Sequence, residues 1–240
     1  GRTPTIVSCG EEYNGSSWTA GNAMITARRT AGGAGTQNAG LVFGGATPTV
    51  VSCVEEYNGT SFSTGGTLIT ARCDLAGGGT QNAGVAMGGS TPSLSNATEQ
   101  YNGTAWATCA EMTTGRYGLG GAGCANAAVV FGGYCSPGNQ SLTEEFDGTS
   151  WSSAAAMIAT IRAMGSGGSH SSAFAAGGDP TTALVEEFSR PFSPPFSCYI
   201  SGWSSGNDMI TARRSLGGAG TQAAALAFGG EVSSAVSCTE

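Results

Sequence analysis

Lysine is missing: the nine basic residues of this 240-residue chain are all Arg, and against sixteen acidic residues they leave a formal net charge of −7 and a pI near 4.6. Nucleic-acid binding draws on clustered positive charge that releases counterions, so no nucleic-acid partner is expected. A phosphate-cradling Gly-Lys-Ser/Thr loop cannot be written without Lys, however many glycines surround it. Histidine is almost as scarce. His170 alone supports neither a catalytic triad nor a multi-histidine metal site. Charged residues make up only 10% of the chain, yet 40% are hydrophobic, enough for a packed core and against a disordered polyelectrolyte. Apolar runs such as 223–228 fall far short of the ~20 residues of a membrane helix, so membrane insertion is not expected. The first residue, Gly1, is neither Met nor the start of an apolar leader, which reads as a processed product or an excerpt of a longer array.

What the chain has in abundance is glycine, 41 residues, and glycine recurs in register. Gly pairs close apolar runs at Gly44, Gly88, Gly132, Gly177 and Gly229, about 44 residues apart except for a wider last interval. An acidic residue followed by an aromatic recurs at Glu12-Tyr13, Glu56-Tyr57, Glu145-Phe146 and Glu187-Phe188, with Gln100-Tyr101 as the departure. Trp18, Phe62, Trp106 and Trp151 follow five residues later, Trp203 is displaced, and Arg28, Arg72, Arg116, Arg162 and Arg213 close each set. Internal repetition at this period is the signature of a repeat architecture in which each unit is one supersecondary element.

Within a unit the signals are those of strands. A small-residue run (32–37), an apolar run (39–43) stopped by Gly44-Gly45, a Val/Cys/Tyr-rich run (49–57) and a β-favouring run (60–64) succeed one another. Asn-Gly between the last two predicts a two-residue type I′ hairpin, in which both turn residues take positive φ. The same pattern stands at Asn14-Gly15, Asn102-Gly103 and Asp147-Gly148. Helical periodicity is absent. Four short strands per ~44 residues match one propeller blade.

These markers together, with Met24, Met112, Met157 and Met209 six residues after the aromatic and Leu68 in the second unit, resemble the kelch repeat of β-propellers from residue 4 to the end. The flavour of the repeat, with Tyr57-Asn58-Gly59-Thr60-Ser61 hairpins and Gly35-Thr36-Gln37-Asn38-Ala39 ahead of the Gly pair, is similar to kelch-like repeats in structural proteins of environmental phages. The resemblance implies an all-β, single kelch-like propeller domain over 1–240 with five four-stranded blades (units about 11–54, 55–98, 99–143, 144–185 and 186–240). Complete blades would start at Arg28, Arg72, Arg116 and Arg162. The fifth would start at Arg213 and be closed by N- and C-terminal strands sharing a blade. Two segments, 4–13 and 232–240, compete for its third strand and share Val7-Ser8-Cys9 and Val236-Ser237-Cys238. The redundant one is either a flank or a strand free to add to a neighbouring molecule.

Functional expectations follow. Arg28, Arg72, Arg116, Arg162 and Arg213 form a candidate ring at a channel mouth, able to grip an acidic ligand bidentately. The competing reading pairs them with Glu12, Glu56, Glu145 and Glu187, because buried charges require partners. The insertion between Phe188 and Trp203 brings Arg190, Phe192, Phe196 and Tyr199 together as a candidate partner-binding loop, since recognition concentrates in loops on rigid scaffolds. Cys9, Cys53, Cys73, Cys109, Cys124, Cys135, Cys198 and Cys238 lack a Cys-x-x-Cys element, which favours disulfides over zinc and an oxidising setting. Sequons stand at Asn14, Asn58, Asn96, Asn102 and Asn139, surface acceptors in a glycosylating host. Copper-dependent sugar oxidases share the kelch architecture but require two His with Tyr ligands, so no catalytic residue, metal or cofactor is expected. The expectation is a non-catalytic structural or adhesive module at a virion surface or outside the cell. Its partners would be other virion or fibre subunits, including further copies of itself, and a cell-surface glycan.

Overall fold

The computed structural model describes residues 5–190 and 201–232, all of it strands, turns and connecting loops. In chain order the first pair is β1 (Gly10–Tyr13) and β2 (Trp18–Gly21), an isolated hairpin. Four antiparallel four-stranded sheets follow. The first blade is β3 (Gly32–Thr36), β4 (Ala39–Phe43), β5 (Val54–Tyr57) and β6 (Phe62–Thr64). The second is β7 (Ala76–Thr80), β8 (Ala83–Met87), β9 (Thr98–Tyr101) and β10 (Trp106–Thr108). The third is β11 (Gly120–Cys124), β12 (Ala127–Phe131), β15 (Thr143–Phe146) and β16 (Trp151–Ala154), interrupted by the small hairpin β13 (Tyr134–Cys135) and β14 (Gly138–Asn139). The fourth is β17 (Gly165–Ser169), β18 (Ser172–Ala176), β19 (Val185–Ser189) and β20 (Gly202–Ser205). The last pair, β21 (Gly217–Thr221) and β22 (Ala224–Phe228), is again an isolated hairpin.

The expected fifth blade is therefore not assembled among the described residues. The β21–β22 and β1–β2 hairpins stay in separate sheets instead of joining through β22 and β1. Four blades stand in a propeller-like arrangement, with β3, β7, β11, β17 and β21 side by side as the innermost strands and a cavity of about 740 Å³ along them. Glycine at these strands has a steric cause. A Cβ on Gly77 would lie 2.3 Å from the Gly33 carbonyl oxygen, and one on Gly218 would lie 2.6 Å from the Ser166 nitrogen, so the backbones touch where a side chain would otherwise stand.

The core lies between blades, not within them. Leu41, Phe43 and Val54 of the first blade pack on Leu68, Leu75, Ala86, Tyr101 and Trp106 of the second, and the second–third and third–fourth junctions repeat the pattern. The recurring Met is part of it: Met112 and Met157 are each buried in an inter-blade cluster. An aromatic ring on the second strand of one blade meets the Trp of the next edge-on, Phe43 with Trp106 at 5.0 Å and Phe131 with Trp203 at 4.8 Å between centroids, contacts worth roughly 1 kcal/mol each beyond the area they bury.

Two belts of backbone hydrogen bonds stitch neighbouring blades. In one, the N–H of Asp74 donates to Thr30, Gly118 to Asp74, Ala163 to Gly118 and Ser215 to Ala163, all at 2.7 to 2.9 Å. These residues hold φ of +50° to +61°, a left-handed conformation that costs a side-chain-bearing residue of order 1 kcal/mol or more and persists where surroundings enforce it. In the other, the second Gly of each pair donates to the residue closing the next unit: Gly45 to Arg72, Gly89 to Arg116, Gly133 to Ile161 and Gly178 to Arg213.

The Asn-Gly turns differ from expectation. Tyr57 pairs with Phe62, so the loop has four residues, and only Gly59, at φ +87°, is left-handed. Asn58 Oδ1 instead accepts the backbone N–H groups of Thr60 and Ser61 at 2.9 and 2.8 Å. Asp147 does the same for Thr149 and Ser150, and those donors hold its carboxyl below the usual range. A side-chain acceptor that closes an Asx turn removes the need for positive φ at Asn.

Candidate functional site

The arginines of the expected ring do not face a channel mouth. Arg28, Arg72, Arg116 and Arg213 are almost fully buried. Arg28 meets Glu55 at 2.8 Å, Arg72 meets Glu99 at 3.0 Å and Arg116 meets Glu144 at 2.7 Å. Burial pulls the guanidinium pKa of Arg72 and Arg116 down, and Glu99 and Glu144 oppose that shift. Structural pairing holds, but with the first Glu of each doublet, since consecutive strand residues point to opposite faces. Each of these carboxylates also caps the approach to its Arg: Ile25 and Thr26 N–H donate to Glu55, and Ile69 and Thr70 N–H to Glu99.

The second Glu of each doublet reaches the next blade. Glu56 Oε1 accepts Tyr101 Oη–H at 2.6 Å, and Glu12 accepts Tyr57 Oη–H. Where the earlier unit has Gln100, the later one has Phe146, which has no hydroxyl to donate. His170 occupies the slot of Gln81, whose amide donates to Gly40 and Tyr57 carbonyls. Burial lowers the His170 pKa, with Glu145 opposing the shift.

Arg162 departs from the ring. Ile161 takes the buried position, 3% exposed, and Glu186, 2% exposed, accepts among the described residues only the N–H groups of Ile158 and Ala159, both at 2.8 Å. Arg162 instead joins Arg29, Cys73, Tyr117 and Arg214, the residues just ahead of the left-handed belt. There its guanidinium bonds Asp179 Oδ2 and Tyr117 Oη at 2.8 and 2.9 Å and lies over the Tyr117 and Tyr134 rings. Arg214 bridges Asp179 and Glu231. The spacing of landmarks shows this cluster only when the one-residue slip at Ile161 is noticed. Arg162 and Arg214 are both held by carboxylates, Asp179 and Glu231, so the cluster is a polar rim more than a vacant anion site.

Cys9, Cys53, Cys73, Cys109, Cys124 and Cys135 are free thiols, so disulfides are not formed among them, and Cys198 and Cys238 lie outside the described residues. Burial and the neighbouring Asp74 carboxylate push the Cys73 thiol up to about 11. Among the described residues no three His, Cys, Asp or Glu side chains converge on a metal-sized point. Arg190 is half-exposed and 3.6 Å from Glu145, while Phe192, Phe196 and Tyr199 of the same loop lie outside the described residues. Asn14, Asn58 and Asn102 sit at exposed loop tips. Asn96 Nδ2 donates to Glu111 and Asn139 Nδ2 to the Asp179 carbonyl, so a glycan at either would displace a bond.

The cavity is lined by the glycine strands and, at one side, by Gly10, Glu11 and Glu12 of the N-terminal hairpin and Phe228 of the C-terminal one. Glu11 stands in the register position of Glu55, Glu99, Glu144 and Glu186. It alone of the five is exposed, and it has no ion pair or hydrogen bond among the described residues.

No family model matches the sequence, and no curated protein matches it. Among solved structures, "Structure of YjhT" superposes with a TM-score of 0.76, covering 97% of this chain and 87% of that one at 14% identity. A likeness at that identity carries the fold alone. The chain is an all-β, propeller-like protein.

Proposed function

We propose that this chain is a kelch-like, non-catalytic display module, carried at a virion surface or on a fibre, whose loops bind a glycan or protein partner. The observation that carries the reading is the fate of the repeated ionisable groups. Arg28, Arg72 and Arg116 are buried against their carboxylates and stabilise the scaffold, leaving the variable surface chemistry to loops such as the one beginning at Arg190. The virion setting rests on the likeness of the Tyr-Asn-Gly-Thr-Ser and Gly-Thr-Gln-x-Ala segments to phage structural repeats.

The test applies the purified chain to a glycan array and to intact microbial cells, alongside Arg190→Ala and Phe196→Ala variants. Saturable binding weakened by either variant supports the reading. Turnover of a sugar panel, or binding indifferent to both variants, overturns it. A second reading, a fibre or matrix subunit assembled by strand exchange, is favoured by one observation: among the described residues β1 pairs with β2 alone.

A further inference from the structure

Contacts between consecutive blades follow rules that reveal how the two hairpins are placed. The second-strand aromatic of one blade meets the Trp of the next, and Phe228 of the C-terminal hairpin meets Trp18 of the N-terminal one at 5.4 Å. The Tyr of one blade donates to the second Glu of the blade before it, and Tyr57 of the first blade donates to Glu12. The N-terminal hairpin therefore comes after the C-terminal hairpin and before the first blade. It is the outer half of a sixth position, not the outer half of the fifth. Its inner half holds no strand among the described residues, and β21 and β3 are not packed side by side as the other innermost neighbours are.

Every group that a strand pair would engage there stands ready. Among the described residues Glu11 lacks the Arg that Glu55, Glu99 and Glu144 bind and the backbone donors that all four equivalents accept. The Thr30 N–H, whose equivalents on Asp74, Gly118, Ala163 and Ser215 all donate backwards along the belt, has no acceptor among the described residues. Nor has the Gly230 N–H, whose equivalents on Gly45, Gly89, Gly133 and Gly178 reach the closing residue of the next unit. Gly33 is the most telling. Its equivalents Gly77 and Gly218 are glycine because a neighbouring strand leaves no room, but a Cβ on Gly33 would meet nothing nearer than 3.7 Å.

We propose that this gap is a socket that takes one more β-hairpin of the same repeat. The hairpin has the composition Ile-Thr-Ala-Arg, a glycine-rich strand, and an apolar strand ending in Gly-Gly. The incoming Arg pairs with Glu11, its own carbonyl accepts Gly230 N–H, and the carbonyl two residues on accepts Thr30 N–H. The glycine strand packs on Gly33, and the apolar strand adds to the open edge of β1, a form of strand addition. This deepens the strand-exchange reading and is independent of glycan binding.

The probe is a labelled peptide copying residues 67–89 of this chain, titrated into the intact protein and followed by fluorescence anisotropy. Saturable 1:1 binding is expected. The peptide carrying Arg72→Ala and the protein carrying Glu11→Gln should each bind on the order of tenfold more weakly, because each leaves a buried charge or donor unmatched. Gly33→Val should leave the thermal melt of the protein unchanged and abolish capture, whereas Gly77→Val should unfold it. Absence of saturable binding, or binding unaffected by Glu11→Gln and Gly33→Val alike, overturns the proposal. Glycan binding without peptide capture would leave the display reading intact and sink this one.

Discussion

The third and fourth blades share a fold and differ at one buried pair. In the third, Arg116 and Glu144 face each other at 2.7 Å with both side chains shut off from solvent. In the fourth, Ile161 stands in place of the Arg, and Glu186 keeps only its two backbone donors. Both blades are complete, so the ion pair is not what makes a blade. Backbone ladders, inter-blade apolar packing and the glycine belt suffice, and the Arg instead satisfies a carboxylate that the segment ahead of the inner strand needs as a cap.

The largest expected effect tests that statement directly. Arg116→Leu strands a buried Glu144 beside apolar neighbours and should lower stability by roughly 3 to 5 kcal/mol in chemical denaturation. A loss under 1 kcal/mol would mean that the third blade already tolerates the arrangement of the fourth. Next, Glu144→Gln should cost about 2 kcal/mol more than Glu186→Gln, because only the former breaks a charge-assisted contact. Equal losses would show that the donors ahead of the inner strand, Thr113 in one blade and Ile158 with Ala159 in the other, dominate. A smaller effect compares the Trp residues. Trp151 and Trp203 donate to Thr98 and Thr143, but Trp106 Nε1 has no partner among the described residues, because Val54 holds the corresponding place. Val54→Thr should raise stability by about 1 kcal/mol, read as an upward shift in melting temperature.

The smallest effect concerns pH. Folding lowers the His170 pKa, so the unfolded chain binds the extra proton as pH falls through the ordinary imidazole value near 6.5. The His170 contribution is fully present above that pH and is lost below it. His170→Gln, the residue of Gln81 and Gln222, should flatten the stability profile between about pH 5 and 7. An unchanged profile would assign that slope to other groups.

Strands and blades were legible because diglycine and aromatic landmarks mark chain reversals whose spacing does not depend on tertiary detail. Three features were not. Which Glu of a doublet pairs with Arg depends on the side of the pleat that faces the neighbouring blade, and Glu55 and Glu56 are alike in composition. Matching Arg162 to the other arginines concealed a slip of one residue, since Ile161 reads as ordinary apolar filler. The Asn-Gly signal was right about a turn and wrong about its type, because the side-chain acceptor of Asn58 stabilises a longer loop. Counting landmarks gives the number of units, and only contacts such as Phe228 with Trp18 give the angle each occupies about the axis.

The handshake between blades runs one way. Tyr101 reaches back to Glu56 and Tyr57 back to Glu12, while Gly45 reaches forward to Arg72. An arc with such directional joints has unlike ends, in the manner of a filament with a leading and a trailing tip. Phe228 and Trp18 already bring those tips together within one chain, so a second molecule can engage both only by lending a segment to the gap between them, a contact that is heterologous unless it is reciprocated.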